Sequence, residues 1–215
     1  MTKLMLLAGV SAAMLATPAF AKEGDVLVRA RAIVVAPNER SGAVSGIPGS
    51  KVGVGDSVMP EVDFTYMATN HIGAELIVAT TKHSVSGRGT ISALGDVANT
   101  WVLPPTLTLQ YHFAPDGKVR PYLGAGINYS IFYSAKATPS LNAALGGTKV
   151  KLDDSFGYAL QAGVDIPVSK RVFVNFDIKY IDMKTTARLT SGATRRTARV
   201  KIDPIVAGMG IGFRF

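Results

Sequence analysis

The residues of this chain whose types could do chemistry are three histidines, a histidine–serine stretch and two sets of alternating glycines. A helical zinc hydrolase needs two histidines four residues apart with a glutamate beside the first. His71, His83 and His112 have no such spacing and no ligand cluster. With no cysteine there is no thiolate ligand, no thiol nucleophile and no disulfide framework. No metal and no cofactor is therefore expected. His83-Ser84 with Ser86 offers a base beside a nucleophile, but no acid stands by to orient the imidazole. No catalytic residue and no enzyme is expected. Gly124 and Gly126, with Gly208, Gly210 and Gly212, lack the following helix that a phosphate loop requires. Spaced by two, they instead make room along strands in a tight interior.

What positions such residues depends on the compartment and the repeat of the chain. A hydrophobic share of 47% with 18% charge excludes disorder, while a formal charge of +8 invites nucleic acid as a partner. The N-terminus argues against that partner. Lys3, an apolar run over residues 4–15, Thr17-Pro18 and then Ala19-Phe20-Ala21 read as a secretory signal peptide, residues 1–21, cleaved after Ala21. The run is too short to span a bilayer as a helix, and no run of 18 apolar residues follows it. Residues 22–215 are then one exported domain, and no nucleic acid is expected.

Alternation with period two dominates that domain. Segments at 25–36, 59–69, 71–84, 101–113, 119–134, 154–166, 171–184 and 199–215 each put an apolar row against a mixed one. Leu107, Leu109, Tyr111 and Phe113 oppose Thr106, Thr108, Gln110 and His112, for example. The apolar row is almost free of charge throughout, which a soluble sheet has no reason to maintain. Connections near 69–70, 114–118 and 167–170 are short, the second built on Pro115-Asp116-Gly117. Those at 37–58, 85–100, 135–153 and 185–198 are long. Together these predict an all-β fold, an eight-stranded antiparallel transmembrane β-barrel with short periplasmic turns and long extracellular loops, in the cell outer membrane. Aromatics near segment ends suit interfacial girdles, and Phe215 closes a final apolar row. A soluble lipocalin-like barrel is the alternative.

An eight-stranded interior is barely wide enough for side chains, so a wide aqueous pore is excluded. The inward row is predicted to be split by height. Low down, Arg29, Arg31, Glu75, Gln110, His112, Arg120, Asp165, Asp177 and Arg214, with Tyr122, Gln161 and Asn175, would make a polar floor of mutually paired charges. Near the loops, Ile33, Val35, Met59, Ile77, Phe132, Ile181 and Ile202 would make an apolar upper lumen. Pro104 and Pro105 cannot donate to a ladder and could mark a lateral opening, or simply a strand end. A basic cluster, Arg188, Arg195, Arg196, Arg199 and Lys201, suits lipopolysaccharide phosphates at the surface, or is a solvated loop.

Several stretches resemble the OmpW family of small outer-membrane proteins. They are Leu103-Pro104-Pro105-Thr106, then Arg120-Pro121-Tyr122-Leu123-Gly124-Ala125-Gly126-Ile127-Asn128-Tyr129, Asp154-Ser155 with Gly157, Gly163-Val164-Asp165, and Lys201-Ile202-Asp203-Pro204 running to Gly212-Phe213-Arg214-Phe215. Ile205 stands where the family often has an aromatic. The resemblance implies an eight-stranded barrel with a narrow hydrophobic channel, passage of small hydrophobic molecules and, in some members, phage or bacteriocin reception. Its partners would be the lipid bilayer, lipopolysaccharide and a small hydrophobic solute. Two readings stay open: a passive channel for small hydrophobic molecules, and a structural or surface-receptor barrel with a plugged lumen and ligand-binding loops.

Overall fold

Strict alternation along the chain forces exposed and buried residues onto opposite faces of each strand, and the computed structural model shows it over residues 22–215. The signal-peptide residues 1–21 lie outside the described residues. In order, the strands are β1 (Val26–Ala36), β2 (Arg40–Ser41), β3 (Ser50–Val54), β4 (Ser57–Met67), β5 (Ile72–Ala79), β6 (Thr81–Gly89), β7 (Asp96–Leu103) and β8 (Thr106–His112). There follow β9 (Arg120–Ala137), a short helix α1 (Pro139–Leu145), β10 (Thr148–Leu152), β11 (Ser155–Pro167), β12 (Val172–Ile181), β13 (Lys184–Ser191), β14 (Thr194–Lys201) and β15 (Ile205–Arg214).

Eight of these strands close a cylinder. Antiparallel ladders run β1–β4–β5–β8–β9–β11–β12–β15 and back to β1. Closure leaves no free edge, which a sheet in hydrocarbon requires. The outer face carries the large apolar side chains, such as Leu109, Ile127, Phe156 and Met209, all exposed. A belt of such groups around a closed sheet faces lipid, not water. The inner face carries the charges and amides, and its tightest points are glycines. Any side chain at Gly163 would meet the Tyr122 ring, and any at Gly212 the Phe173 ring.

The upper half differs from the sequence expectation of long loops. Chain read as connection is largely strand. One extension is the sheet β3–β6–β7–β9, the other is β10–β13–β14–β2. The 135–153 connection holds the helix α1, started by the Thr138 hydroxyl accepting from Leu141 N with Pro139 in the first turn. Conversely, four segments expected to be continuous are broken, at Thr80, Pro104-Pro105, Asp182-Met183 and residues 202–204. Prolines explain two of the breaks, since they have no N–H for the ladder. Alternation hides the breaks because the inward parity resumes on the far side.

Candidate functional site

The lower interior is a buried ionic cluster. Register alone brings the first partners together, since Arg29 lies opposite Asp63 and Arg31 opposite Glu61. Arg29 bridges two strands beyond its own, with Nη1 2.9 Å from Asp63 and Nη2 2.8 Å from Asp165. Arg31 reaches Asp63 at 2.6 Å, Glu61 at 2.9 Å, Glu75 at 3.4 Å and Asp177 at 3.6 Å. Arg31 Nε and Asp63 Oδ2 meet their partners as ion pairs without making hydrogen bonds. Lys179 closes the upper side against Glu61 at 2.8 Å and against Asp177. Amides fill the gaps: Gln161 Nε2 donates to Asp177 at 2.7 Å, and Asn175 Nδ2 to Asp165 at 2.7 Å. Gln110 Nε2 donates to Gln161, and His112 lies within hydrogen-bond distance of Gln110 while stacking on Tyr122. Every member is buried, so the charges are held only because each has partners.

Of the residues read from sequence as the floor, Arg29, Arg31, Glu75, Asp165, Asp177, Gln110 and His112 belong to this network. Arg120 and Arg214 sit lower. Arg120 Nε donates to the carbonyl of Gly117 in a periplasmic turn, and Arg214 is half-exposed against Asp25 at the barrel rim. Glu61, Asp63 and Lys179 are the members the sequence reading left out. The parity of β4 and β12 already turned them inward, but their partners depend on ladder register.

Above the cluster lies an apolar cavity of about 130 Å³. Ile33, Val35, Ile77, Phe132, Ile181 and Ile202 line it; Met59 shares their row but does not reach it. Glu61 and Lys179 form its lower boundary. Most of the upper wall comes from the chain read as loop: Val44, Ile47, Val52, Leu141, Val150 and Leu189 all contribute. The loop sequences carried a weak signal in their scattered hydrophobes, but not which of them would converge. One titrating group lies in this wall. His83 is buried between the carbonyl of Gly55 and the hydroxyl of Thr81, and burial lowers its pKa from 6.5. The imidazole is therefore neutral at pH 7, as an apolar wall requires.

The wall is interrupted in two places. At Pro104-Pro105 the ladder to β5 and β6 lapses between the pairs Ile77–Thr106 and Thr81–Val102. Pro104 lines the cavity. The break is laced on its other side, where Asn128 Nδ2 donates to both proline carbonyls and Tyr129 N donates to Pro105. A hydrogen bond between the Thr80 hydroxyl and the Tyr133 phenol crosses its outer face. The second interruption is a seam between β9 and β10. The β9–β11 ladder ends at the Ser130–Ser155 pair. Above it a cleft opens, lined by Ile131, Tyr133, Lys151 and Asp153 and sharing Phe132, Ala135, Val150 and Leu152 with the cavity. Asp154 pins the bottom of the seam by accepting from Phe132 N and from the Tyr129 hydroxyl.

Known proteins resemble this chain in sequence and in fold. The OmpW family model matches residues 22–215. Outer membrane protein W of Escherichia coli (strain K12) is 37% identical over 218 residues, covering 100% of each chain. The dibenzothiophene metabolism operon protein PahQ of Pseudomonas aeruginosa is 33% identical over 174 residues, covering 79% of this chain and 77% of its own. The crystal structure of the outer membrane protein OprG from Pseudomonas aeruginosa superposes with a TM-score of 0.85 at 29% identity, covering 93% of this chain and 99% of that one.

Proposed function

The chain belongs to the OmpW family of outer-membrane barrels, and from that premise we propose that it forms a narrow hydrophobic channel for passive uptake of small hydrophobic molecules. The observation that carries this reading is the apolar cavity above the ionic cluster, with a cleft at the β9–β10 seam that shares four of its lining residues. An apolar solute gains nothing by entering the charged floor, because the ion pairs there would have to be separated. It is held above the floor and leaves laterally, along the apolar walls, into the bilayer. The cavity of about 130 Å³ is close to the ~150 Å³ of an apolar protein cavity that stays dry and takes up benzene. That suits a small aromatic or short alkyl solute. The relative PahQ is named for a dibenzothiophene metabolism operon, which accords with aromatic cargo. No group in the cavity wall is arranged for bond making, so passage involves no chemical step.

The competing reading is a structural or receptor barrel, for which the sealed floor serves equally well. Uptake separates the two. Phe132→Lys places a charge in the cavity wall, and Ala187→Phe fills the cavity without charge. Both should bring naphthalene uptake by expressing cells down to the level of cells without the protein. Heat-modifiable migration on gels checks that each variant folds. Folded variants that take up naphthalene at the wild-type rate would refute the channel.

A further inference from the structure

Above the aromatic belt the outside of the barrel changes character on one side. The outward row climbing β12 into β13 reads Ile178, Tyr180, Asp182, Lys184, Thr186, Arg188. Within a few residues the surface passes from apolar through aromatic to cationic. Pairing makes this a two-dimensional face. Lys184 lies opposite Lys201, Lys201 opposite Arg40, and Thr186 opposite Arg199. Further up, Lys151 lies opposite Arg188, and Thr190 sits between Lys149 and Arg195. The opposite row of the same sheet, including Ala187, Leu189 and Val200, lines the cavity, so the cations point away from it and are exposed.

Carboxylates answer only part of this charge. Arg188 holds Asp153 through two contacts at 2.9 and 2.6 Å, and the guanidinium keeps that carboxyl below its usual range. Lys201 lies 2.9 Å from Asp203, which raises the ammonium pKa. Lys149, Lys151, Lys184, Arg195 and Arg199 make no ion pair among the described residues. Like charges directly opposite in an antiparallel sheet destabilise it. In the Lys184–Lys201 pair Lys201 is met by Asp203 and, at 3.9 Å, by Asp182, whereas Lys184 keeps its charge for an anionic partner. The other extension, β3–β6–β7–β9, carries fewer cations: Lys51 lies opposite Arg88, which Glu39 answers at 3.3 Å, with Lys82 further down the same row. Height supplies the identity of the partner. Lys184 is four residues beyond Tyr180, roughly 13 Å along a strand tilted by about 45°, hence roughly 9 Å above the aromatic belt. That is the level of the headgroup phosphates.

We propose that this face docks lipopolysaccharide, the anionic glycolipid of the outer leaflet, with its lysines and arginines holding the phosphates of lipid A and the inner core. Arginine and lysine bind phosphate through charge-assisted hydrogen bonds, and basic residues at a membrane surface add up in their attraction to anionic headgroups. The acyl chains would lie against the apolar belt immediately below.

The test is a titration of the full-length protein in detergent micelles containing EDTA. The probes are phosphorylated lipopolysaccharide, the same lipid dephosphorylated, and heparin as a soluble polyanion. The variant Lys149→Gln/Lys184→Gln/Arg195→Gln/Arg199→Gln removes four cations that touch neither cavity, seam nor floor. Lys118→Gln/Lys170→Gln removes two from the periplasmic turns as a control. Phosphorylated lipopolysaccharide should bind the quadruple variant roughly tenfold or more weakly than wild type and the control variant unchanged. Dephosphorylated lipid should not distinguish the three proteins. Should the quadruple variant fail to fold, Arg195→Gln/Arg199→Gln on β14 alone should give a smaller loss in the same direction. Equal binding of lipopolysaccharide by wild type and folded variant would overturn the proposal. So would tight binding of heparin by a wild type that does not retain lipopolysaccharide.

Discussion

Arg29 shows how much one residue carries. It is wholly buried, pairs with Asp63 and Asp165, donates to the Thr65 hydroxyl at 2.7 Å and lies 5.3 Å from the centre of the Tyr122 ring. Arg29→Met keeps most of the volume but takes the buried ion-pair partner from Asp165 and leaves Asp63 to Arg31 alone. Removing one partner of a buried ion pair typically costs about 3–5 kcal/mol. The variant should unfold at markedly lower urea in a detergent or bilayer refolding assay, and an unchanged midpoint would mean that water or neighbouring cations replace the guanidinium without loss. The cavity residues behave differently. They gain from contact with one another and, on the proposed channel reading, with apolar cargo, so changes there should alter uptake before stability.

At the scale of elements, the functional parts sit where ladders stop. The β9–β10 seam and the Pro104-Pro105 break are both gaps in backbone pairing beside the same cavity. They differ in what crosses them. The proline break is bridged by Thr80 and Tyr133 and laced by Asn128, whereas among the described residues the seam is held by Asp154 at its base and by Thr148 N donating to Asn142 at its top. On the proposed channel reading, the exit is placed at the seam. Val150→Glu places a charge in the seam and Thr80→Glu places one at the proline break. In the naphthalene assay the first should reduce uptake several-fold and the second much less. The reverse order would move the exit to the prolines.

At the scale of the whole molecule, the outward belt decides where the protein can exist. Leu109, Ile127, Phe156, Ile178 and Met209 are each half or more exposed, and they encircle a closed sheet. Burial of apolar surface is worth roughly 25 cal/mol per Å², so so large a belt needs lipid or detergent around it. The protein should fractionate with the outer membrane, stay in solution only with detergent, and run on gels as a compact β-rich form that heating converts to a slower one. A monomeric, detergent-free solution of folded protein would remove the basis of the membrane reading.

Period-two alternation, free of charge on one row, determined the class of fold, the number of staves, the direction of each side chain in the membrane and the pairing of short turns with long connections. These are local properties: parity along a strand follows from backbone geometry alone, and lipid makes the outer row uniform. The inward parity of Arg29, Arg31 and Ile33 was legible for the same reason. Only the tertiary structure decided which carboxylate meets which arginine, because that depends on the register between strands distant in sequence. It likewise decided that the connections rise as two paired sheets whose scattered hydrophobes complete the cavity. Parity does not show where a ladder ends, and the gaps in backbone pairing beside the cavity lie at those ends.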